Sequence, residues 1–253
     1  MIADNLTARV PRPDICLGQH IMPGRAGTVR HTAGPIMAGC DSLRIHIFGK
    51  SAHASMPHNS IDPTYTAAMI VTRLQAIVGR EVAPHEFFVI SVGELHSGDK
   101  NNIIPDSAEL VLNTRFYEPA LAEKVYASLE RMVKAECVAS GCKKDPTFEY
   151  YAHGEVTVND AAAYAPIAEV FTATFGKASV DASPSTASED FCYLPQAWGV
   201  PYVFWHVGCT PESELADPPV NHQANFLPDY DPTVKASTRA AHAAVLAYLG
   251  TQP

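Results

Sequence analysis

Two histidines that lie far apart in the sequence have contexts that favour metal binding. His20 directly follows a short apolar segment, DICLG, and His222 lies in the segment PVNHQANF shortly before the last predicted helix. Ligands and metals gather at the carboxyl ends of strands in open α/β sheets. Imidazoles are common ligands of divalent transition metals. Two imidazoles do not complete a site, so spacing alone gives this hypothesis weak support.

A histidine pair and an acidic run could take part in catalysis, and each has an ordinary alternative. His53 and His58 lie in SAHASMPH, where the small neighbours of His53 should leave its imidazole accessible. A turn histidine is an equally good interpretation of His53. Glu189, in the run Ser188-Glu189-Asp190, could act as a general base or a metal carboxylate. The more common structure for such a run is a capping box with Ser188 as the N-cap.

Arg115 and Asn102 could bind a carboxylate together. Arg115 ends a predicted strand, and Asn102 lies in the loop just before that strand. A guanidinium group with an amide nearby suits a carboxylate, although an arginine at this position more often forms an ion pair at a sheet edge. Other histidines are predicted to be ordinary surface or core residues: His31, His46, His85, His96, His153 and His242.

The composition restricts the class of protein. The chain has 253 residues, 47% apolar and 18% charged, with a net charge of −9 and no basic run. These values predict a globular protein and argue against nucleic acid or an anionic membrane as its main partner. No stretch approaches the roughly 18 apolar residues of a membrane span, and the first residues lack the pattern of a signal peptide. The six cysteines form no CxxC pair, so we expect reduced thiols and a cytoplasmic location.

Apolar periodicity predicts a β-α-β-β-α-β order in the middle of the chain. The predicted strands cover residues 40–49, 87–95, 108–116 and 147–153, and the predicted helices begin at Asp62-Pro63 and after Pro119. This is the order of the ferredoxin-like fold, in which one antiparallel sheet carries two helices on one face. We therefore predict a domain over residues 38–153 that is inserted between residues 1–37 and residues 154–253.

The flanking residues predict part of an α/β layer. They contain the strand DICLG, a helix over residues 160–175, the apolar strand VPYVFWHVG, and a helix that begins at Asp231-Pro232. A typical sheet has about five or six strands, so this layer is predicted to be incomplete. The predicted fold class is thus α/β, with a partial α/β domain that contains an inserted ferredoxin-like α+β domain.

Five segments, taken together and in order, carry more information than any one of them. They are VPRPDICLGQHIMPGRAG, FGKSAHASMPHNSIDP, GDKNNIIPDSAELVLNTRF, ASEDF and PVNHQANFLPD. This order resembles the family-20 metallopeptidases, in the amidohydrolase branch with hippurate hydrolases, N-acyl-amino-acid amidohydrolases and auxin-conjugate hydrolases. The resemblance implies hydrolysis of the amide bond of N-acyl amino acids or similar small amides. It also implies a catalytic α/β domain and an inserted lid domain through which the protein forms a homodimer.

The resemblance implies roles for individual residues of the catalytic domain. His20 and His222 look like metal ligands of a site that holds two divalent ions, zinc or manganese, with cobalt and nickel as alternatives. Glu189 falls on the family's S-E-D-F motif close to the metals, where its exact role stays open.

Three residues of the inserted domain look like substrate-contacting residues of the family. His53 resembles the lid histidine that reaches into the partner subunit's active site and stabilises the tetrahedral intermediate. Asn102 resembles the asparagine of the N-x-I-P loop, which helps to bind substrate. Arg115 resembles the lid arginine that can contact the substrate carboxylate.

The sequence also departs from the family pattern. The H-x-C-G-H-D motif and the Glu-Glu pair, which supply the remaining metal ligands and the general base, are absent from these residues. We therefore expect this chain to be the C-terminal portion of a longer enzyme, weakly active or inactive alone. The alternative is a non-catalytic dimerisation or ligand-binding module derived from the same family.

Overall fold

The computed structural model of the protein describes residues 1–250. Within this range the α-helices are α1 (Leu6–Arg9), α2 (Pro63–Arg80), α3 (Pro119–Ala139), α4 (Ala161–Phe175), α5 (Tyr193–Trp198) and α6 (Tyr230–Leu249). The strands are β1 (Cys16–Arg25), β2 (Val29–His31), β3 (Gly34–Met37), β4 (Gly39–Phe48), β5 (Ala52–His53), β6 (Phe88–Ser97), β7 (Ile103–Ile104), β8 (Ser107–Phe116), β9 (Thr147–Gly154), β10 (Thr157–Asn159), β11 (Ser179–Asp181) and β12 (Tyr202–Thr210). None of these helices is both long enough and apolar enough to cross a membrane.

The chain divides into two compact units, which are described separately. The insert unit consists of Ala38–Val156 and Thr186–Ser188. The flanking unit consists of Met1–Met37, Thr157–Ser185 and the residues from Glu189 onward.

The insert unit has the ferredoxin-like topology that the sequence predicts. Its sheet has the strand order β6-β8-β4-β9, and every neighbouring pair is antiparallel. The two long helices of the unit, α2 and α3, pack on one face of this sheet. The prediction of a β-α-β-β-α-β order is therefore confirmed, and a two-stranded ribbon of β5 and β7 is added to it.

Strict alternation of apolar side chains builds the core of the insert unit. In β4, the side chains of Leu43, Ile45 and Ile47 are fully buried, while their neighbours in the strand are only partly buried. Ile70 and Leu74 of α2 cover the same core. Each buried aliphatic side chain contributes about 1.5–3 kcal/mol, so this layer is a large stabilising contribution to the unit.

Two helix starts show how local chemistry decides the boundaries. The Asp62 carboxylate accepts hydrogen bonds from the backbone N–H groups of Thr64 and Tyr65, with Pro63 in the first helical position as predicted. The last helix begins at Tyr230 with Asp229 as its N-cap, one residue before the predicted start at Asp231. The N–H groups in the first turn of a helix have no partner within the helix. Proline, which lacks an N–H, is therefore tolerated at position 232 in this helix as it is at position 63 in α2.

The flanking unit contains a mixed sheet with the strand order β1-β12-β2-β11. The β1–β12 and β2–β11 pairs are parallel, and the β12–β2 pair is antiparallel. Helices α4 and α6 pack against this sheet through an apolar cluster that includes Phe171, Val203, Trp205 and Ala240. The sheet is larger than predicted because the three-residue strands β2 and β11 are too short to show a periodic pattern.

The position of His20 differs from the prediction. His20 lies within β1 instead of following the strand. The strand continues because β1 keeps its parallel register with β12 from Cys16 to Met22, beyond the predicted end at Gly18. His20 is consequently held by the backbone ladder that joins β1, an edge strand of the sheet, to β12, and this gives its imidazole a defined direction.

We expect Gly208→Ala to destabilise the flanking unit and Gly79→Ala to stabilise the insert unit. A Cβ atom at Gly208 would overlap the Arg25 carbonyl and the Thr28 hydroxyl, whereas one at Gly79 in α2 would meet nothing within 4 Å. Overpacking should lower the free energy of unfolding by about 1–3 kcal/mol, and helix propensity should raise it by up to about 1 kcal/mol. Urea unfolding of both variants checks this; a neutral Gly208→Ala would contradict the close approach.

The contact between His153 and Asp41 should make the stability of the insert unit depend on pH. Asp41 is 7% exposed, and its carboxylate accepts hydrogen bonds from the Tyr126 hydroxyl (2.6 Å) and from His153 Nδ1 (2.7 Å). The hydrogen bond to Asp41 and the nearby Glu155 raise the pKa of His153. The contact between protonated His153 and Asp41 therefore stabilises the folded protein fully below the unfolded-state pKa of about 6.5. This stabilisation is lost as the pH rises through the folded-state pKa of His153.

The test is thermal unfolding of the wild type and His153→Gln between about pH 5.5 and 9. The wild type should lose more stability than His153→Gln as the pH rises, and the exposed His85→Gln variant should behave like the wild type. Parallel curves for all three proteins would show that the contact with Asp41 is not linked to folding.

Candidate functional site

His20 is held in a tautomer that suits a metal ligand. Its Nδ1 atom lies 2.7 Å from the backbone carbonyl oxygen of Ile21, which can only accept a hydrogen bond. The proton of the neutral imidazole is therefore on Nδ1, and Nε2 carries the free lone pair. Metal-binding histidines typically donate their other ring N–H to a carbonyl or carboxylate in this way.

The segment that contains His222 lies beside His20. The Asn221 side-chain amide donates to the same Ile21 carbonyl oxygen, over 3.1 Å. His222 follows directly and has a φ of 73°, a left-handed conformation that is uncommon for a residue with a Cβ atom. The two histidines predicted as metal ligands therefore come from segments that meet at one backbone carbonyl of the flanking unit.

Sequence reasoning missed a third imidazole in this region. His206 of β12 is the register partner of His20 in the parallel β1–β12 pair, so their side chains lie on the same face of the sheet. His206 is only 2% exposed, and its Nε2 atom has no hydrogen-bond partner. Burial, followed by the charges of Arg30 and His20, lowers the pKa of His206 to about 4. A single polar residue inside the apolar segment VPYVFWHVG was the signal that could have revealed it.

A cleft of about 570 Å³ opens on the flanking unit next to these residues. Its lining includes Gly18, Glu189, Phe191 and Phe204. The aromatic rings close in on Gly18, where a Cβ atom would come within 2.8 Å of both Phe191 and Phe204. The cleft is consequently apolar on one side, with the Glu189 carboxylate on its wall.

The acidic run around Glu189 does not form the capping box that was the alternative interpretation. The next helix, α5, begins only at Tyr193, and its N-cap is Cys192. The Glu189 carboxylate instead accepts a hydrogen bond from the backbone N–H of Asp190 over 2.9 Å. Helix capping therefore does not explain these acidic residues.

The described residues do not by themselves form a complete metal site. Across residues 1–250, no group of three or more His, Cys, Asp or Glu side chains is arranged to hold a metal ion. The tautomer of His20 fits a ligand role, and the unpartnered Nε2 of His206 is a further nitrogen on the same face. These residues can thus provide part of a coordination sphere but not all of it.

In the insert unit, His53 and Asn102 lie on the same ribbon. His53 in β5 pairs with Ile103 in β7, and the backbone N–H of Ala54 donates to the Asn102 carbonyl over 3.0 Å. The Nδ1 atom of His53 accepts a hydrogen bond from the backbone N–H of Ser55, over 3.1 Å. The proton of the neutral ring is therefore on Nε2, and His53 presents an exposed N–H donor.

His53 also combines the two interpretations that the sequence left open. Its backbone carbonyl accepts from the N–H of Met56, over 2.8 Å, so the residue does begin a turn. The hydroxyl of Ser55 lies 2.7 Å from His53 Nδ1 and reinforces the ring orientation. The turn and the accessible imidazole are thus parts of one local structure.

Arg115 lies inside the sheet of the insert unit and not at its edge. It belongs to β8, which has neighbours on both sides, and its Nη1 atom donates to the Ser188 hydroxyl over 2.7 Å. No carboxylate of residues 1–250 forms a salt bridge with it. The interpretation of Arg115 as part of an ion pair at the sheet edge is therefore wrong. Its guanidinium group has further N–H donors that can bind an anionic ligand.

Comparison with known proteins finds similarity to peptidases and amidohydrolases. A family model described as a peptidase dimerisation domain matches residues 38–140. Thermostable carboxypeptidase 2 of Saccharolobus solfataricus is 30% identical over 86% of this chain and 54% of its own length. N-acetylcysteine deacetylase of Bacillus subtilis is 30% identical over 90% of this chain and 58% of its own length. Hippurate hydrolase of Campylobacter jejuni is 30% identical over 81% of this chain and 53% of its own length.

A solved structure agrees with these relatives. The crystal structure of a dinuclear metal-binding peptidase of the M20 family from Bacillus subtilis has a TM-score of 0.70 and 25% identity, and the match covers 92% of this chain and 57% of that one. This chain spans little more than half the length of each of these proteins. It contains the peptidase dimerisation domain of the M20 family and is homologous to the amidohydrolases and peptidases of that family.

Proposed function

We propose that the chain is part of a metal-dependent amidohydrolase that cleaves the amide bond of N-acyl amino acids. The observation that carries this proposal is the hydrogen bond from His20 to the Ile21 carbonyl, because it leaves Nε2 free beside the His222 segment. Relatives named for deacetylation of N-acetylcysteine and hydrolysis of hippurate support the substrate class. In this proposal the flanking unit is catalytic and the insert unit is the lid.

The bound metals would be held in part by His20 and His222, with His206 as a neighbouring imidazole. When bound, such ions polarise a carbonyl and generate a nucleophilic hydroxide from water. The described residues supply too few ligands for a complete site, so we propose that this chain alone is weakly active or inactive. Zinc or manganese best suits a site of imidazole and carboxylate ligands, and cobalt or nickel would also suit it.

His53 has the proton on the nitrogen that an oxyanion donor requires. Its exposed Nε2–H would donate to the oxygen that becomes negative when water attacks the amide carbonyl. We propose that His53 performs this role in the active site of a partner subunit, within a homodimer formed through the insert unit. The match of residues 38–140 to a dimerisation domain supports this arrangement.

The remaining residues would bind substrate or move protons. Arg115 would contact the substrate carboxylate with the N–H groups that Ser188 does not use, and Asn102 would orient the amide. Glu189, which lines the cleft and accepts a hydrogen bond from the N–H of Asp190, would hold a proton or a metal.

The two proposed roles require opposite tautomers, which can be measured. Long-range ¹H–¹⁵N spectra of the ¹⁵N-histidine-labelled chain should show His20 protonated on Nδ1 and His53 protonated on Nε2. His20→Gln and His53→Gln assign the signals. The same tautomer for both residues would remove the basis for assigning one as a ligand and the other as a donor.

Metal binding and hydrolysis test the proposed function itself. Calorimetric titration with Zn²⁺ or Mn²⁺ should show weak binding by the wild type, which His20→Ala and His222→Ala abolish. The exposed His58→Ala variant should bind like the wild type. Hydrolysis of hippurate and N-acetyl amino acids by this chain should be slow or absent.

The outcomes separate the proposal from its alternative. Metal binding that depends on His20 and His222 supports the partial catalytic site, whereas no binding supports a dimerisation or ligand-binding module without catalysis. Rapid metal-dependent hydrolysis would show that the chain is sufficient for catalysis and would contradict its proposed inactivity.

A further inference from the structure

The C-terminus of α3 brings two cysteines together. Gly141 has a φ of 79°, and its N–H donates to the Val138 carbonyl over 3.0 Å. The N–H of Cys142 donates to the Cys137 carbonyl over 2.9 Å. This pair of hydrogen bonds is the Schellman motif, which reverses the chain at a left-handed residue directly after a helix.

The Schellman motif determines which side chains meet. The residue after the left-handed position commonly packs against the residue five positions earlier, in the last turn of the helix. Here these two positions are Cys142 and Cys137, where the motif frequently has a hydrophobic contact. Both side chains pack against the core of the insert unit, with Cys137 3% exposed and Cys142 partly exposed.

Both cysteines are free thiols, and the motif places the two residues beside each other against the same apolar core. Burial, followed by the neighbouring Cys142, raises the pKa of the Cys137 thiol to about 12. Cys137 is therefore a protonated thiol at neutral pH, and an oxidant from solvent reaches Cys142 first. A more exposed thiol with a buried thiol beside it is the arrangement of an attacking and a resolving cysteine.

We propose that Cys137 and Cys142 form a redox-sensitive pair that closes to a disulfide when the protein meets a small-molecule disulfide. The Cys142 thiolate attacks the reagent disulfide, which gives a mixed disulfide and releases one small thiolate. Cys137 then loses its proton to solvent, and its thiolate attacks the Cys142 sulfur, which forms the protein disulfide and releases the second small thiolate. The two protein thiols are oxidised by two electrons, and one reagent disulfide is reduced to two thiols.

The closed pair would fix the chain reversal at Gly141. The reversal precedes β9, an edge strand of the insert sheet. The disulfide would join the two ends of the motif covalently. Strand β9 begins shortly after Cys142, so the bond would also restrain the chain that leads into this strand. The ring is small, so the effect on global stability should be small and the chemical change itself is the suitable readout.

The sequence around the pair allows a direct test. Trypsin cleaves after Lys134 and Lys143, so one peptide, residues 135–143, contains both cysteines. The folded chain is treated with oxidised glutathione, and the remaining thiols are alkylated before digestion. We expect this peptide to lose two hydrogen atoms and take no alkyl group, while the number of free thiols falls from six to four.

Two variants make the test specific. Cys142→Ser should prevent closure and leave Cys137 without glutathione. Cys40→Ser is the matched control, because Cys40 is also partly exposed in the insert unit but its thiol donates to the Ala152 carbonyl. This control should close like the wild type, and circular dichroism confirms that both variants fold.

The rate of closure gives a second, independent measurement. Because thiolates are the reacting species, closure should accelerate as the pH rises above neutral. A stable glutathione adduct on Cys142 that Cys137 does not displace would overturn the proposal. Closure with a different cysteine, or equal alkylation of the 135–143 peptide before and after treatment, would also overturn it.

Discussion

The parallel pairing of β1 with β12 is the interaction on which the candidate site depends. It places His20 opposite His206 and Gly18 opposite Phe204, so that imidazoles and the wall of the cleft share one face of the sheet. The other face is occupied by the apolar packing of Val203, Trp205 and Val207 against helices α4 and α6. A register shift of β1 by one residue would exchange its two faces and turn His20 towards that core.

His20 and His53, two of the histidines with proposed chemical roles, are oriented by their immediate neighbours in the chain. His20 donates to the carbonyl of the next residue, and His53 accepts from the N–H of Ser55. In each case one ring nitrogen is used locally and Nε2 is left for chemistry, but with a lone pair in one ring and a proton in the other. Local backbone geometry thus sets the polarity of each imidazole without a distant side chain.

The sequence predicts the long elements well because their signals are repeated over many residues. Alternation in β4 and the Asp62-Pro63 start of α2 are strong local patterns, and both are confirmed. The three-residue strands β2 and β11 depend on pairing with distant strands, which no local pattern reveals.

The candidate site is harder to predict from sequence for a similar reason. His206 looks like one polar residue in an apolar strand until its register with His20 is known. The role of Arg115 depends on whether β8 is an edge strand, and strand order is a property of the whole sheet. Residue types can therefore be nominated from motifs, whereas their surroundings follow only from long-range pairing.

The carbonyl oxygen of Ile21 accepts two hydrogen bonds, one from His20 and one from Asn221, which lies far away in the sequence. A carbonyl oxygen has two lone pairs, and both donors can be accommodated only while the peptide plane keeps its present angle. A rotation of that single plane would weaken both hydrogen bonds at once, freeing the ring of His20 and the turn that carries His222 together. The orientation of His20 and the position of the turn that carries His222 therefore depend on the same peptide plane.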